Sequence, residues 1–193
     1  LTNTMVSNVE TALADFMQRF KSAAAGSGGA FPPQKFDPDW PSPCRIGAPA
    51  AGYIRWEPVP QSQTTDFRGL ENALELEIHK DIKAYYGSYW CGALEATAEE
   101  GHVSLIQMWN PQDFDRLIEN LIGHAMAKRR LKHPFTVFVA TTEADSELFL
   151  SVDNDTGGVL LEEPGCPPRR QVDENLASFI DRLTPCLAQP KIY

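Results

Sequence analysis

The run NPQDFDRLIENLIGHAMAKRRLKHPFTVFVAT, Asn110–Thr141, carries a helix start, a helix stop and a strand in direct succession. Asn110 is a natural cap, Pro111 suits the first helical position, and Asp113 stands where a capping-box acid belongs. Phe114, Leu117, Ile118, Leu121, Ile122 and Ala125 recur at helical spacing and form one apolar stripe. Lys128, Arg129, Arg130 and Lys132 crowd the last turn, where unpaired carbonyls favour cations, and Pro134 forbids continuation. The basic run therefore has a local structural cause, and FTVFVATT then reads as a strand.

Further along the chain, ELFLSVD and VLLEEP are two more strands, separated by the turn-like EADS and NDTGG. DNDTGG lacks an acid at the twelfth position of a calcium loop counted from Asp153, which leaves an ordinary turn. VDENLASFIDRL closes the chain with an amphipathic helix through Leu176, Phe179, Ile180 and Leu183.

Towards the N-terminus, SYWCGALEATA and HVSLIQMW predict two strands turning at EEGH, with Val103, Leu105, Gln107 and Trp109 on one face of the second. Before them, DFRGLENALELEIHKDIKAYYGSYW places Phe67, Leu70, Leu74, Ile78, Ile82 and Tyr85 on one stripe, which predicts a single long helix capped by Asp66. Glu71 and Glu75 fall on one shoulder of that stripe, Glu77 and Asp81 on the other. YIRWEPV alternates as a strand should, with Tyr53 and Arg55 against Ile54 and Trp56. NVETALADFMQRF is a first helix on Val9, Leu13, Phe16, Met17 and Phe20. The glycines and prolines that follow forbid regular structure, while Phe31, Phe36 and Trp40 predict that this connection lies against the body.

The order of helix, strand, helix, two strands, helix, three strands and helix is that of an α+β fold: one domain, 1–193, with a mixed or largely antiparallel sheet flanked by helices. Within it, 1–25 is the N-terminal helical segment and 26–43 the packed connection.

With 42% hydrophobic residues, the chain has enough apolar side chains to fold without metal or disulfide support. Cys44, Cys91, Cys166 and Cys186 are isolated, without the close pairs of metal ribbons or redox motifs, so reduced structural thiols of a cytosolic protein are expected. No apolar run approaches the roughly 20 residues of a membrane span, and no leader is visible, which predicts a soluble, unexported chain. The net charge of -9 argues against a nucleic-acid partner, because neutralising phosphates takes a surplus of Lys and Arg. Its distribution says more: Pro134–Pro168 carries seven acids and no Lys or Arg. Such a surface either keeps the protein soluble or attracts a basic partner.

His124 sits about 90° from the centre of its stripe, with no carboxylate or nucleophile offered nearby in sequence. No H-E-x-x-H or G-x-S-x-G occurs, and His79, His102 and His133 share no ligand spacing with it. A histidine hydrogen-bonded at the edge of the core is expected, and no catalytic, metal or cofactor site.

Several of these stretches together resemble the Syd family: SPC (Ser42–Cys44), LENAL (Leu70–Leu74), LIQMWN (Leu105–Asn110), ENLIGH (Glu119–His124), KRRLKHPFTVFVAT (Lys128–Thr141) and SVDNDTGGV (Ser151–Val159). The resemblance implies a non-enzymatic partner of SecY, the bacterial protein-translocation channel, held at the cytoplasmic side of the inner membrane through SecY alone. It implies an acidic groove for the channel's basic cytoplasmic loops, a role in monitoring channel assembly, and no small-molecule substrate. The wider α+β superfamily includes immunity proteins against toxins, which is the alternative function. Of the expected partner-binding residues, Glu71, Gln107, Trp109 and Glu119 lie in the matching motifs, while Glu75, Glu95 and Asp113 are added from charge and position.

Overall fold

A computed structural model describes residues 8–62 and 65–187; residues 1–7 of the expected N-terminal segment lie outside them. In chain order the elements are α1 (Asn8–Ala23), β1 (Gln34–Lys35), β2 (Arg45–Ala50), β3 (Tyr53–Trp56), β4 (Val59–Pro60), α2 (Arg68–Leu74), α3 (Lys80–Gly87), β5 (Tyr89–Trp90), β6 (Leu94–Ala98) and β7 (Gly101–Leu105). They continue with α4 (Pro111–Arg130), β8 (Thr136–Thr141), β9 (Phe149–Asp153), β10 (Val159–Glu162), β11 (Arg170–Asp173), α5 (Leu176–Asp181) and β12 (Thr184–Pro185).

The main sheet has seven strands in the order β11-β10-β9-β8-β7-β6-β12, every pair antiparallel. A three-stranded sheet, β1-β3-β2, and the pair β4-β5 complete an α+β domain. The apolar stripes are what bury. Val9, Leu13, Phe16, Met17 and Phe20 of α1 enter the core against α5, β12 and α3, and Leu117, Leu121 and Ala125 of α4 are buried. Strand β8 carries a register shift between Phe138 and Ala140, and there the carbonyls of Phe138 and Val139 accept the hydroxyls of Tyr86 and Tyr85 at 2.6 and 2.9 Å. Two fully buried tyrosines thereby satisfy their polar ends inside an apolar core.

In the connection after α1, Phe31 is buried. Phe31 stacks on Phe20 at 4.9 Å and lies 4.9 Å from the Trp56 ring, whose Nε1 donates to the Pro32 carbonyl at 2.8 Å. In β3, Ile54 and Trp56 are buried while Tyr53 and Arg55 face out. Cys44, Cys91 and Cys166 are free thiols, the first two buried and the third exposed.

Four sequence expectations are corrected. The long helix over 67–85 is two helices, α2 and α3, broken where Glu75 adopts φ 56°. Its stripe residues, Ile78 included, are all buried, so the periodicity reported burial correctly and backbone continuity incorrectly. Asp66 stands one residue before the capping position and takes the Arg68 N–H instead. The strand expected to run to Trp109 ends at Leu105, so Val103 and Leu105 are strand residues but Gln107 and Trp109 are not. Strands β11 and β12, each short and without alternation, were not legible.

The basic run, fourth, does more than end its helix. Lys128 is buried and its ammonium meets the carboxylate of Glu162, itself fully buried, while Arg129 donates to the Leu74 carbonyl. A helix-dipole account of these cations is incomplete, because two of them are tertiary ties.

Candidate functional site

Strand β6, the corner between β7 and α4, and the connection before β2 enclose one concave region. Its construction begins at that corner. Asn110 caps α4 by accepting the Asp113 N–H at 2.8 Å, and the Asp113 carboxylate reaches back to the main-chain N–H of Trp109 at 3.0 Å. This is a capping box displaced by one residue. The same corner is tied to the connection: Asn110 Nδ2 donates to the Pro41 carbonyl at 2.7 Å and Ser42 Oγ to the Trp109 carbonyl at 2.6 Å. Ser42 Oγ in turn accepts the Cys44 N–H at 3.0 Å. Trp40 is covered by the Arg116 guanidinium 3.9 Å from its ring centre. At Gly92 a Cβ would stand 2.1 Å from Gln34 Nε2 and 2.8 Å from the Trp56 ring, so the close approach of connection and body requires a residue without a side chain.

The resulting groove has two lobes that share Gln34, Lys35 and Ala93. One, of about 300 Å³, is bordered by Asp37, Arg45, Gln107, Trp109 and Asp113. The other, of about 420 Å³, is floored by Phe31, Pro32, Tyr53 and Trp56, with Glu95 at its side. Glu95 accepts Ser104 Oγ at 2.8 Å and lies 2.7 Å from His102 Nε2 across the β6–β7 pair. Trp56 and Trp109 meet edge to face at 5.8 Å between the lobes. The Gln107 amide nitrogen donates to the Ile106 carbonyl at 3.2 Å, and its Oε1 is buried without a hydrogen-bond partner. Three carboxylates, Asp37, Glu95 and Asp113, stand against Lys35 and Arg45. Arg45 is committed locally, donating to the carbonyls of Asp37 and Trp40 and lying over the Phe36 ring at 4.8 Å.

Of the seven expected partner-binding residues, the structure brings together Glu95, Gln107, Trp109 and Asp113. It leaves out Glu71, Glu75 and Glu119. Glu71 is occupied as a brace: its carboxylate accepts the Ile78 N–H at 2.9 Å and pairs with Lys83 at 3.0 Å. The Ile78 N–H, with Lys83 behind it, holds this carboxyl below the usual glutamate range. Glu75 ends α2 in its left-handed conformation and Glu119 is exposed on α4. Sequence reading missed Asp37, Tyr53 and Trp56 as groove residues. The aromatics of the connection were the available signal, since they show that the connection folds onto the body.

His124 is a partly buried edge histidine. Its Nε2 lies 3.1 Å from Thr136 Oγ1, and its ring sits among Phe135, Phe138 and Phe149. Burial and then the Lys128 ammonium push its pKa down, against the opposing pull of Glu162. Among the described residues, no helix is long and apolar enough to cross a membrane.

A family model described as Syd protein (SUKH-2) matches residues 10–185, a span that contains the whole groove. Protein Syd of Pseudoalteromonas atlantica is 41% identical over 186 residues, covering 94% of this chain and 98% of that protein. Protein Syd of Colwellia psychrerythraea is 35% identical over 182 residues, covering 90% of each, and that of Psychromonas ingrahamii is 35% identical over 180 residues, covering 93% and 97%. With a family match over nearly its full length and relatives this similar end to end, the chain belongs to the Syd family.

Proposed function

We propose that this chain is a non-catalytic binding protein whose two-lobed groove receives a basic cytoplasmic loop of the SecY channel, and that this contact alone holds it at the cytoplasmic face of the inner membrane. The observation that carries the reading is the convergence of Asp37, Glu95 and Asp113 with the aromatic rings of Tyr53, Trp56 and Trp109 in one concave surface. Cytoplasmic loops of inner-membrane proteins are enriched in Lys and Arg. A carboxylate beside an aromatic face receives such a side chain twice over, by charge and by cation–π attraction. The net charge of -9 adds a long-range pull that steers encounter more than it holds the complex.

Titration with a synthetic SecY loop peptide tests this. Asp37 and Tyr53 are exposed at the rim, so Asp37→Lys and Tyr53→Ala leave the core intact. Each is expected to weaken binding by roughly threefold to tenfold. Asp145→Lys makes the same charge change at an exposed site outside the groove and is expected to change affinity little. Equal losses at Asp37 and Asp145 would mean that net charge alone acts; no loss at Asp37 or Tyr53 would remove the groove from the interaction.

A further inference from the structure

A second cavity, of about 360 Å³, lies between the end of α4, strands β8 and β9, and the loop that follows β10. Ile106, Leu131, Phe138, Phe149 and Pro164 make its apolar wall, and His124 is part of its lining. What this histidine offers a ligand is decided behind it. The Glu162 carboxylate, fully buried, accepts hydrogen bonds from Lys128 Nζ, Ser151 Oγ and Thr136 Oγ1, the last at 2.6 Å. A carboxylate with three donors, one of them an ammonium, is ionised. The single Thr136 hydroxyl proton is committed to it, so towards His124 Nε2, 3.1 Å away, Thr136 Oγ1 can only accept. His124 therefore carries its proton on Nε2, and its Nδ1 is a lone-pair acceptor.

The Lys and Glu side chains that line this cavity are already matched. Lys128 is paired with Glu162, and Glu163 with Arg169. An ionic ligand would lose hydration here without gaining a free counter-charge. The volume lies within the roughly 300–1,000 Å³ of small-molecule sites, which are mostly apolar with a few placed polar groups.

We propose that this cavity binds a neutral small molecule of the aromatic-alcohol class, its rings against Phe138 and Phe149 and its hydroxyl donating to His124 Nδ1. Thr136 acts as a positioning residue that selects the accepting tautomer. The site is independent of the groove and shares none of its lining residues.

The test uses 1-naphthol and 1-methoxynaphthalene, which offer similar ring surfaces but only one hydroxyl donor, titrated into the intact protein and followed by amide NMR. 1-Naphthol is expected to bind saturably, shifting Ile106, Thr141 and Phe149, with the methoxy compound weaker by about fivefold to tenfold for the lost hydrogen bond. Ala127 lines the cavity from the half-buried side of α4, so Ala127→Trp fills it from the helix surface and is expected to abolish binding of both probes. Thr136→Val releases the tautomer and is expected to narrow the difference between the two probes. Absence of saturable 1-naphthol binding, equal affinity for the two compounds, or binding retained in Ala127→Trp would each overturn the proposal.

Discussion

Asn154 closes on the backbone of His79, 75 residues earlier in the chain: its Oδ1 accepts the His79 N–H at 3.0 Å, while its Nδ2 donates to the Glu77 carbonyl at 2.8 Å. The tip of the β9–β10 hairpin thus supplies hydrogen bonds that a continuous helix would have made internally between α2 and α3. Glu71 does the same for Ile78 from within α2. Breaking a helix leaves orphaned donors and acceptors, and this break persists because two side chains satisfy them.

Asn154→Ala removes both bonds from a position only 8% exposed. The expected loss is about 2–3 kcal/mol, the cost of leaving part-buried backbone groups unpaired. Urea unfolding measures the total, and native-state hydrogen exchange is expected to accelerate first at 77–82.

Gly157 stands two residues after Asp155 in the same hairpin with φ 78°, and a Cβ there would lie 2.7 Å from His79 Nε2. Gly157→Ala therefore meets both backbone strain and a clash, with an expected cost of about 1–3 kcal/mol. Adding His79→Ala relieves the clash but not the strain. In thermal unfolding, the double variant is expected to lose less than the sum of the two single losses.

Lys128→Met leaves Glu162 buried without its cation, which is expected to cost about 3–5 kcal/mol near neutral pH. Burial alone would raise the Glu162 carboxyl, but the hydrogen bonds from Lys128, Ser151 and Thr136 outweigh it and hold the group below the ordinary glutamate range. In the wild type this stabilisation is complete above the unfolded-state pKa and is lost as pH falls through the lower folded one. In Lys128→Met the hydrogen bond and the charge of the ammonium are both lost, so the folded carboxyl is expected to titrate higher than in the wild type. The deficit of the variant relative to wild type is therefore expected to shrink as pH falls, and Lys128→Met combined with Glu162→Gln to recover much of the loss. Urea unfolding across the acid range checks both; a deficit that grows with acidity would refute the assignment.

By itself the sequence determined which apolar stripes face the core, where α1, α4 and α5 run, and that strands β8, β9 and β10 follow one another. Those features rest on local periodicity and on caps such as Asn110, whose partner lies three residues away. It also carried the Syd resemblance, and it named Trp109 and Asp113 among the expected partner-binding residues. What it could not encode locally was the break at Glu75, since Ile78 is buried on the stripe whether or not the backbone there is helical. Nor did the local pattern separate Glu71, spent on Ile78 and Lys83, from Glu95 at the groove wall, because both read only as acids within predicted elements. The partner of Lys128 is 34 residues away on β10, and β12 exists because the β6 edge offers Thr97 and Ala96 for pairing. Each was decided by tertiary structure for the same reason: a hydrogen bond or ion pair between distant segments satisfies groups whose own neighbours in the chain leave them open.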